Sequence, residues 1–128
     1  MSVSAPSDDR SDQHAADATR LLDVDQRCML IDELGRDILA ELEASFWNDY
    51  AALFARAAAA GAARDRAEFG DTVHTIKGAA SNLGFAGIAT AAADLRAAVV
   101  AGDWPDLADL QRQAERTRAA LATAAGQG

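Results

Sequence analysis

The sequence predicts an all-α protein: an antiparallel four-helix bundle with a short extra N-terminal helix. Half of its 128 residues are hydrophobic and many of these are alanine, whereas only 5% are aromatic. Alanine is the strongest helix former, while β-branched and aromatic residues favour strands. The two prolines, Pro6 and Pro105, leave the middle of the chain free of helix breakers. A chain of this length suits a single core.

The N-terminal segment is predicted to differ from the rest of the chain. Residues 1–17 contain four aspartates and few large apolar side chains, so they cannot offset the entropy of ordering and should form a disordered acidic tail. His14 lies there and is interpreted as a solvated residue without a role. The segment lacks the basic and apolar regions of a secretion signal, so a cytoplasmic location is expected. Residues 18–124 should form the bundle.

The short first helix is predicted to begin after Asp23 and to end at Gly35. Asp23 followed by Gln26 resembles a capping box, in which each side chain satisfies a backbone N–H at the helix start. Cys28 is interpreted as a small buried residue, because free cysteine packs as an apolar group. The face expected to pack comprises Val24, Cys28 and Ile31.

The second and third helices carry apolar residues in alternating steps of three and four, which is typical of core-facing helices. The second runs from about Asp37 to Gly61, where a left-handed stop is expected. The third opens with Asp65 as its cap and Glu68 three residues later, and ends at Gly84. The stripe of the second helix comprises Leu39, Leu42, Phe46, Tyr50, Leu53 and Ala57. The stripe of the third comprises Phe69, Val73, Ile76, Ala80 and Leu83.

The fourth and last helices complete the bundle. The fourth closes at Gly102, and the last begins near Asp103 with Pro105 in its first turn, where a missing N–H costs nothing. Helices joined by such short loops pack as antiparallel neighbours. The apolar stripe of the fourth helix comprises Phe85, Ile88, Ala92, Leu95 and Val99. That of the last helix comprises Leu107, Leu110, Ala114 and Leu121.

Two tryptophans fall outside these stripes. Trp47 is displaced from the main stripe of the second helix and is either a docking anchor or a residue that packs beneath the first helix; packing is the preferred interpretation. Trp104 precedes the last helix and is expected to cover the end of the bundle.

His74 is predicted to project from the edge of the third helix's buried stripe. It is one step of about 100° from Val73, so its ring can rest on the bundle with one nitrogen facing solvent. Gly70 and Gly78 lie one turn before and after it, and Ser81 lies two turns after. Each helical glycine costs roughly 1 kcal/mol relative to alanine, which this chain uses freely. The preferred explanation for the two glycines is that they leave clearance for an approaching protein, and the alternative is that they allow close packing of helices.

Lys77 is the only lysine in the chain, against eleven arginines, and it follows His74 by three residues. At that spacing its ammonium reaches the space above the imidazole. Lysine is a compact, mobile charge, whereas arginine presents a rigid planar fork. A compact charge suits a phosphoryl group that must arrive, stay and leave, although Lys77 alone would be an ordinary surface charge. Asp71, one turn before His74, either orients the ring or is solvated, and the second reading is preferred.

Charge and motif content exclude several function classes. The net charge of −8 opposes binding to nucleic acid and to anionic membranes. No apolar run approaches the roughly 20 residues of a membrane span. The chain has no Gly-rich phosphate loop, so it is not expected to bind ATP or to act as a kinase. A metal site in a bundle needs several inward ligands, and one histidine outside the tail is too few, so no cofactor is expected.

The third helix resembles the signature of histidine phosphotransfer (HPt) domains of two-component signalling. The run His74-x-x-Lys77-Gly78 and the closing Leu83-Gly84 carry the resemblance, which extends more loosely over residues 18–124. It implies that His74 is phosphorylated, that Lys77 balances the phosphate charge and that Gly78 admits the partner. Ser81 would be at most a contact at the rim of that docking surface.

The resemblance implies a phosphoryl carrier in a phosphorelay. His74 would accept the group from the aspartyl phosphate of a receiver domain and pass it to another receiver aspartate. The partners would be receiver domains of response regulators or hybrid histidine kinases, which would also hold any Mg²⁺, and the chain would be a monomer. The alternative is a binding-only helical adaptor that docks response regulators without carrying phosphate.

Overall fold

A computed structural model describes residues 21–127, with side chains described as far as residue 124. Within this range the chain is helical and contains no strand, which confirms the predicted all-α bundle. The predicted tail, residues 1–17, and His14 within it lie outside the described residues. The five helices are α1 (Val24–Leu34), α2 (Arg36–Ala63), α3 (Arg66–Asn82), α4 (Ala86–Val100) and α5 (Ala108–Gln127).

The helices that form the bundle are α2 to α5, and α3 packs most extensively against α4 and then α2. The predicted stripes of α3 and α4 supply most of the core. Burial of each large apolar side chain contributes about 1.5–3 kcal/mol to the stability of the fold. Leu42 of the predicted α2 stripe is instead 42% exposed. None of the described helices is both long enough and apolar enough to cross a membrane. The largest fully buried apolar side chains are Phe69, Phe85, Ile76, Ile88, Leu110, Val73 and Val99.

The N-caps of α1 and α3 are the two aspartates that the sequence predicts. Asp23 accepts a hydrogen bond from the backbone N–H of Gln26 at 3.1 Å, and Asp65 accepts one from Glu68 at 3.1 Å. The reciprocal bond of a capping box is not formed at Asp23. Gln26 donates through its side chain to the carbonyl of Asn82 at 3.1 Å, and thereby ties α1 to the end of α3.

The end of α2 differs from the prediction. The helix passes Gly61 and ends at Ala63, and Arg64 takes the left-handed conformation with φ 56°. The backbone N–H of Arg64 donates to the carbonyl of Gly61 at 3.2 Å, which closes the last turn. A Cβ at Gly61 would lie 3.6 Å from the ring of Phe69, so this glycine sits inside the helix where α3 packs beside it.

The start of α5 also differs from the prediction. The helix begins at Ala108, whereas Asp103 and Pro105 belong to the loop that follows α4. Asp106 accepts a hydrogen bond from the backbone N–H of Ala108 at 3.0 Å. Trp104 of this loop packs against Phe69, with the ring centroids 5.7 Å apart.

Both tryptophans pack against the bundle. Trp47 is half-buried and stacks on Phe85, with the ring centroids 5.6 Å apart, and the guanidinium of Arg118 lies 4.9 Å from its ring. These contacts favour packing over a docking anchor, although the partners are Phe85, directly before α4, and Arg118 of α5 rather than residues of α1. Trp104 meets the edge of Phe69 at 5.7 Å, as expected of a residue that covers the end of the bundle.

α1 is held by polar contacts to the turn between α3 and α4. Arg27 donates to the carbonyl of Leu83 at 2.9 Å, forms an ion pair with Glu43, and lies 5.4 Å from the centre of the Phe85 ring. The backbone N–H of Asp23 donates to the carbonyl of Gly84 at 2.8 Å. These contacts position α1 against the C-terminal end of α3.

Cys28 is exposed, so the expectation that it is buried is wrong. α1 contains no buried residue, and Val24 on its expected apolar face is 58% exposed. The apolar contact of α1 with the core is made instead by Leu30 and Ile31, which are partly buried, and Cys28 takes no part in it.

Candidate functional site

His74 lies on the exposed side of α3. Val73 and Ile76, the residues one step before and two steps after it, are fully buried, whereas His74 itself is exposed. Adjacent residues of a helix are separated by about 100°, so the core fixes the rotation of α3 and thereby directs His74 to the edge of the buried stripe. The predicted placement of this imidazole is the one that the structure shows.

His74 and Lys77 line one solvent-open groove between α3 and α4, with a volume of about 270 Å³. The sequence predicted that these two side chains share a surface, and the structure brings them together. The α4 side of the groove is formed largely by small residues, which leave space in front of the imidazole. The α4 residues that line it are Ala92, Ala93, Arg96, Ala97 and Val100.

Arg96 is the residue of this groove that sequence reasoning missed. Its guanidinium-bearing side chain lines the same space as His74 and Lys77. The local pattern shows only an exposed arginine next to the buried Leu95. Finding it from the sequence would have required the register of α4 against α3, which helical periodicity does not contain.

The charge of the groove is opposite in sign to that of the chain. Lys77 and Arg96 line it and no carboxylate does, although the chain carries a net charge of −8. Within the part of the chain that the structure describes, neither cation takes part in an ion pair or a side-chain hydrogen bond. Two unneutralised cations beside an exposed imidazole form a site that favours an anion.

The two glycines that flank His74 differ in their surroundings. Gly78 is exposed, and a Cβ placed there would meet no atom within 4 Å. Gly70 is buried, and its Cβ would lie 3.9 Å from Cγ1 of Val99 on α4. The prediction that Gly70 gives a partner clearance is therefore wrong, because α4 of the same molecule covers it. Helix packing, the alternative reading of the glycines, applies at Gly70.

Ser81 and Asp71, two further residues of α3 that the sequence singles out, both have exposed side chains. Ser81 is exposed and lies two turns after His74, on the open side of the helix. Asp71 is exposed, and among the described residues its side chain makes no hydrogen bond with His74. The contact found at Asp71 is through its backbone carbonyl, which accepts a hydrogen bond from Oγ1 of Thr75 at 3.0 Å.

The metal-ligating residue types do not cluster around the groove. No group of three or more histidine, cysteine, aspartate or glutamate side chains within the described range is arranged to hold an ion.

Comparison with protein families gives a match to the Hpt domain over residues 28–124. The matched range contains the whole of α2, α3 and α4, and with them every residue that lines the groove. Comparisons with curated proteins and with solved structures each gave no match.

Proposed function

This chain belongs to the Hpt domain family, and from that membership we propose that it carries a phosphoryl group on His74 within a two-component phosphorelay. In this role His74 accepts the group from the aspartyl phosphate of a receiver domain and passes it to the aspartate of another receiver. The chain has no kinase activity of its own in this proposal, and ATP is consumed by a partner.

The observation that carries the proposal is the placement of one exposed imidazole beside an ammonium in an open groove. His74 is exposed at the edge of the buried face of α3, so the bundle holds its ring without enclosing it. Lys77 lines the same groove. A histidine placed this way is accessible to an aspartyl phosphate carried by a second protein, which a histidine in the core would not be.

The chemistry needs a nucleophile, a fixed direction of approach and compensation of negative charge. The unprotonated ring nitrogen of His74 attacks phosphorus in line with the P–O bond to the receiver aspartate. The N–P bond forms as that P–O bond breaks, and the electron pair of the broken bond leaves on the aspartate carboxylate. The other ring nitrogen keeps its proton. The ammonium of Lys77 offsets the charge on the three equatorial oxygens, and the reverse reaction delivers the group.

In-line attack requires the receiver to approach α3 closely. Gly78 supports this requirement, because the space around its Cβ position is empty and a side chain there would stand between the two proteins. Ser81 lies on the same exposed side of the helix, and we assign it a contact at the rim of the docking surface.

The partners in this proposal are receiver domains of response regulators or of hybrid histidine kinases. Any Mg²⁺ that the reaction needs is held by the receiver, and this chain contributes no cofactor. We further propose that the protein acts as a monomer in the cytoplasm, where such receivers are found.

The experiment that tests the function is transfer from labelled, phosphorylated receiver domains of the same organism. A label that is acid-labile and alkali-stable should appear on the wild type, because these properties identify phosphohistidine. It should be absent from His74→Gln and present in His14→Gln, the matched control at the other histidine of the chain. Receiver binding that persists in the wild type without any transfer of label would contradict the proposal and favour a binding-only adaptor.

A further inference from the structure

We propose that Arg96 is a second phosphoryl-binding residue, whose guanidinium contacts the oxygens of the group that is transferred to and from His74. The inference rests on the proposed function, since it names a further residue of the same site. It arises from the way α4 is packed on α3, which places an arginine opposite the histidine and the lysine.

The surroundings of Arg96 leave its side chain free to act in the groove. Its neighbours on the groove wall are alanines and Val100, so His74, Lys77 and Arg96 are its polar members. Alanine adds little bulk above the helix surface, and the groove has a volume of about 270 Å³. A long, exposed arginine side chain can therefore extend across it toward His74 without displacing another side chain.

Arg96 also differs from most arginines of the described chain in having no intramolecular partner. Three arginines form ion pairs, which are Arg27 with Glu43, Arg56 with Glu68, and Arg112 with Asp109. Three others lie over tryptophan rings, which are Arg64 and Arg66 over Trp104 and Arg118 over Trp47. Arg96 makes none of these contacts within the described residues, so its positive charge is not compensated by the fold.

The chemistry of the guanidinium complements that of the ammonium. Arginine presents several N–H donors in a fixed plane and binds two phosphate oxygens at once, whereas lysine acts as a mobile point charge. The transferred group carries negative charge on three equatorial oxygens. Lys77 from α3 and Arg96 from α4 would therefore share these oxygens, with Arg96 fixing the orientation of the group against the attacking nitrogen.

A small phosphoryl donor separates contact with the phosphoryl group from contact with the partner protein. Phosphoramidate can phosphorylate an accessible histidine without any receiver surface, so a residue that only docks the receiver should not affect this reaction. We expect Arg96→Gln to lower the rate of His74 labelling about tenfold both with phosphoramidate and with a phosphorylated receiver. A tenfold change corresponds to about 1.4 kcal/mol of transition-state stabilisation. Arg96→Lys should recover part of the rate, because it keeps the charge and loses the fork.

The matched control is Arg116→Gln, which removes an exposed arginine of α5 that does not line the groove. It should leave both rates unchanged, and circular dichroism should show the same helicity for all variants. A wild-type rate for Arg96→Gln with phosphoramidate would overturn the inference, whether or not the receiver reaction is slowed. The proposed function would remain intact in that case, since it fails only if His74 of the wild type takes no label from a phosphorylated receiver.

Discussion

Replacing Gly78 should stabilise the fold and impair the transfer at the same time. The Cβ of an alanine at this position would meet no atom within 4 Å, so Gly78→Ala should gain the full difference in helix propensity, about 1 kcal/mol. For a chain of 128 residues, that gain raises Tm by about 4 °C. Gly78→Leu should also fold, because the added side chain projects into solvent.

The cost of these substitutions should appear when a receiver docks. A leucine side chain at an interface that has to close over Gly78 should overpack it by roughly 1–3 kcal/mol, so transfer from a receiver should slow by about tenfold or more. The loss should be greater with a receiver than with phosphoramidate, since only the receiver has to approach α3 with a large surface. Rapid-quench transfer assays with both donors measure the two losses.

Gly70→Ala is the matched control for both readouts. It replaces the other glycine that flanks His74, but there the Cβ would make an ordinary contact of 3.9 Å with Val99. It should therefore raise Tm without slowing transfer from a receiver. A lower Tm for Gly78→Ala, or transfer at the wild-type rate for Gly78→Leu, would refute the reasoning that this glycine is kept open for a partner.

Three further predictions concern the fold. Burial, with a smaller contribution from Glu115, raises the pKa of Tyr50 from 10.0 to about 12. The folded protein then holds this proton more tightly than the unfolded chain, so stability in urea should be fully present below pH 10 and fall as the pH rises toward 12; Tyr50→Phe should abolish this fall. Gly84 has a φ of 75°, and its Cβ would lie 3.0 Å from the Arg27 side chain, so Gly84→Ala should lower the free energy of unfolding by roughly 1–3 kcal/mol. Arg27→Met keeps the length of the stem but removes the ion pair with Glu43, and hydrogen exchange should become faster across α1 while the protection of α3 and α4 persists.

The elements that could be predicted from the sequence are those whose determinants are local. Asp65 and Gly84 bound α3 as expected, because a side-chain cap and a left-handed residue act within one turn of the chain. The start of α5 was misplaced because Pro105 is compatible with a first helical turn. Trp104 in this segment packs against Phe69, which is far away in the sequence, so the local pattern does not contain this contact.

The same distinction, between features set within one helix and features set by packing between helices, applies to the candidate site. The exposure of His74 and its proximity to Lys77 follow from the angular spacing of residues on one helix, so the sequence was sufficient to predict them. Arg96 and the burial of Gly70 depend on the register between α3 and α4. That register is set by the packing of side chains from two helices, and no pattern within either helix specifies it.

The polar attachment of α1 bears on where this domain begins in practice. The family match starts at residue 28, yet the contacts that hold α1 to the last turn of α3 come from Asp23, Gln26 and Arg27. A protein shortened to the matched range would lose these polar contacts at the carbonyls of Asn82, Leu83 and Gly84, and the remainder of α1 would be held through the partly buried Leu30 and Ile31. Local unfolding would then begin at the C-terminal end of α3, the helix that carries His74. Slow transfer by such a truncated protein would therefore reflect the loss of the α1 contacts and not a defect in the residues of the groove.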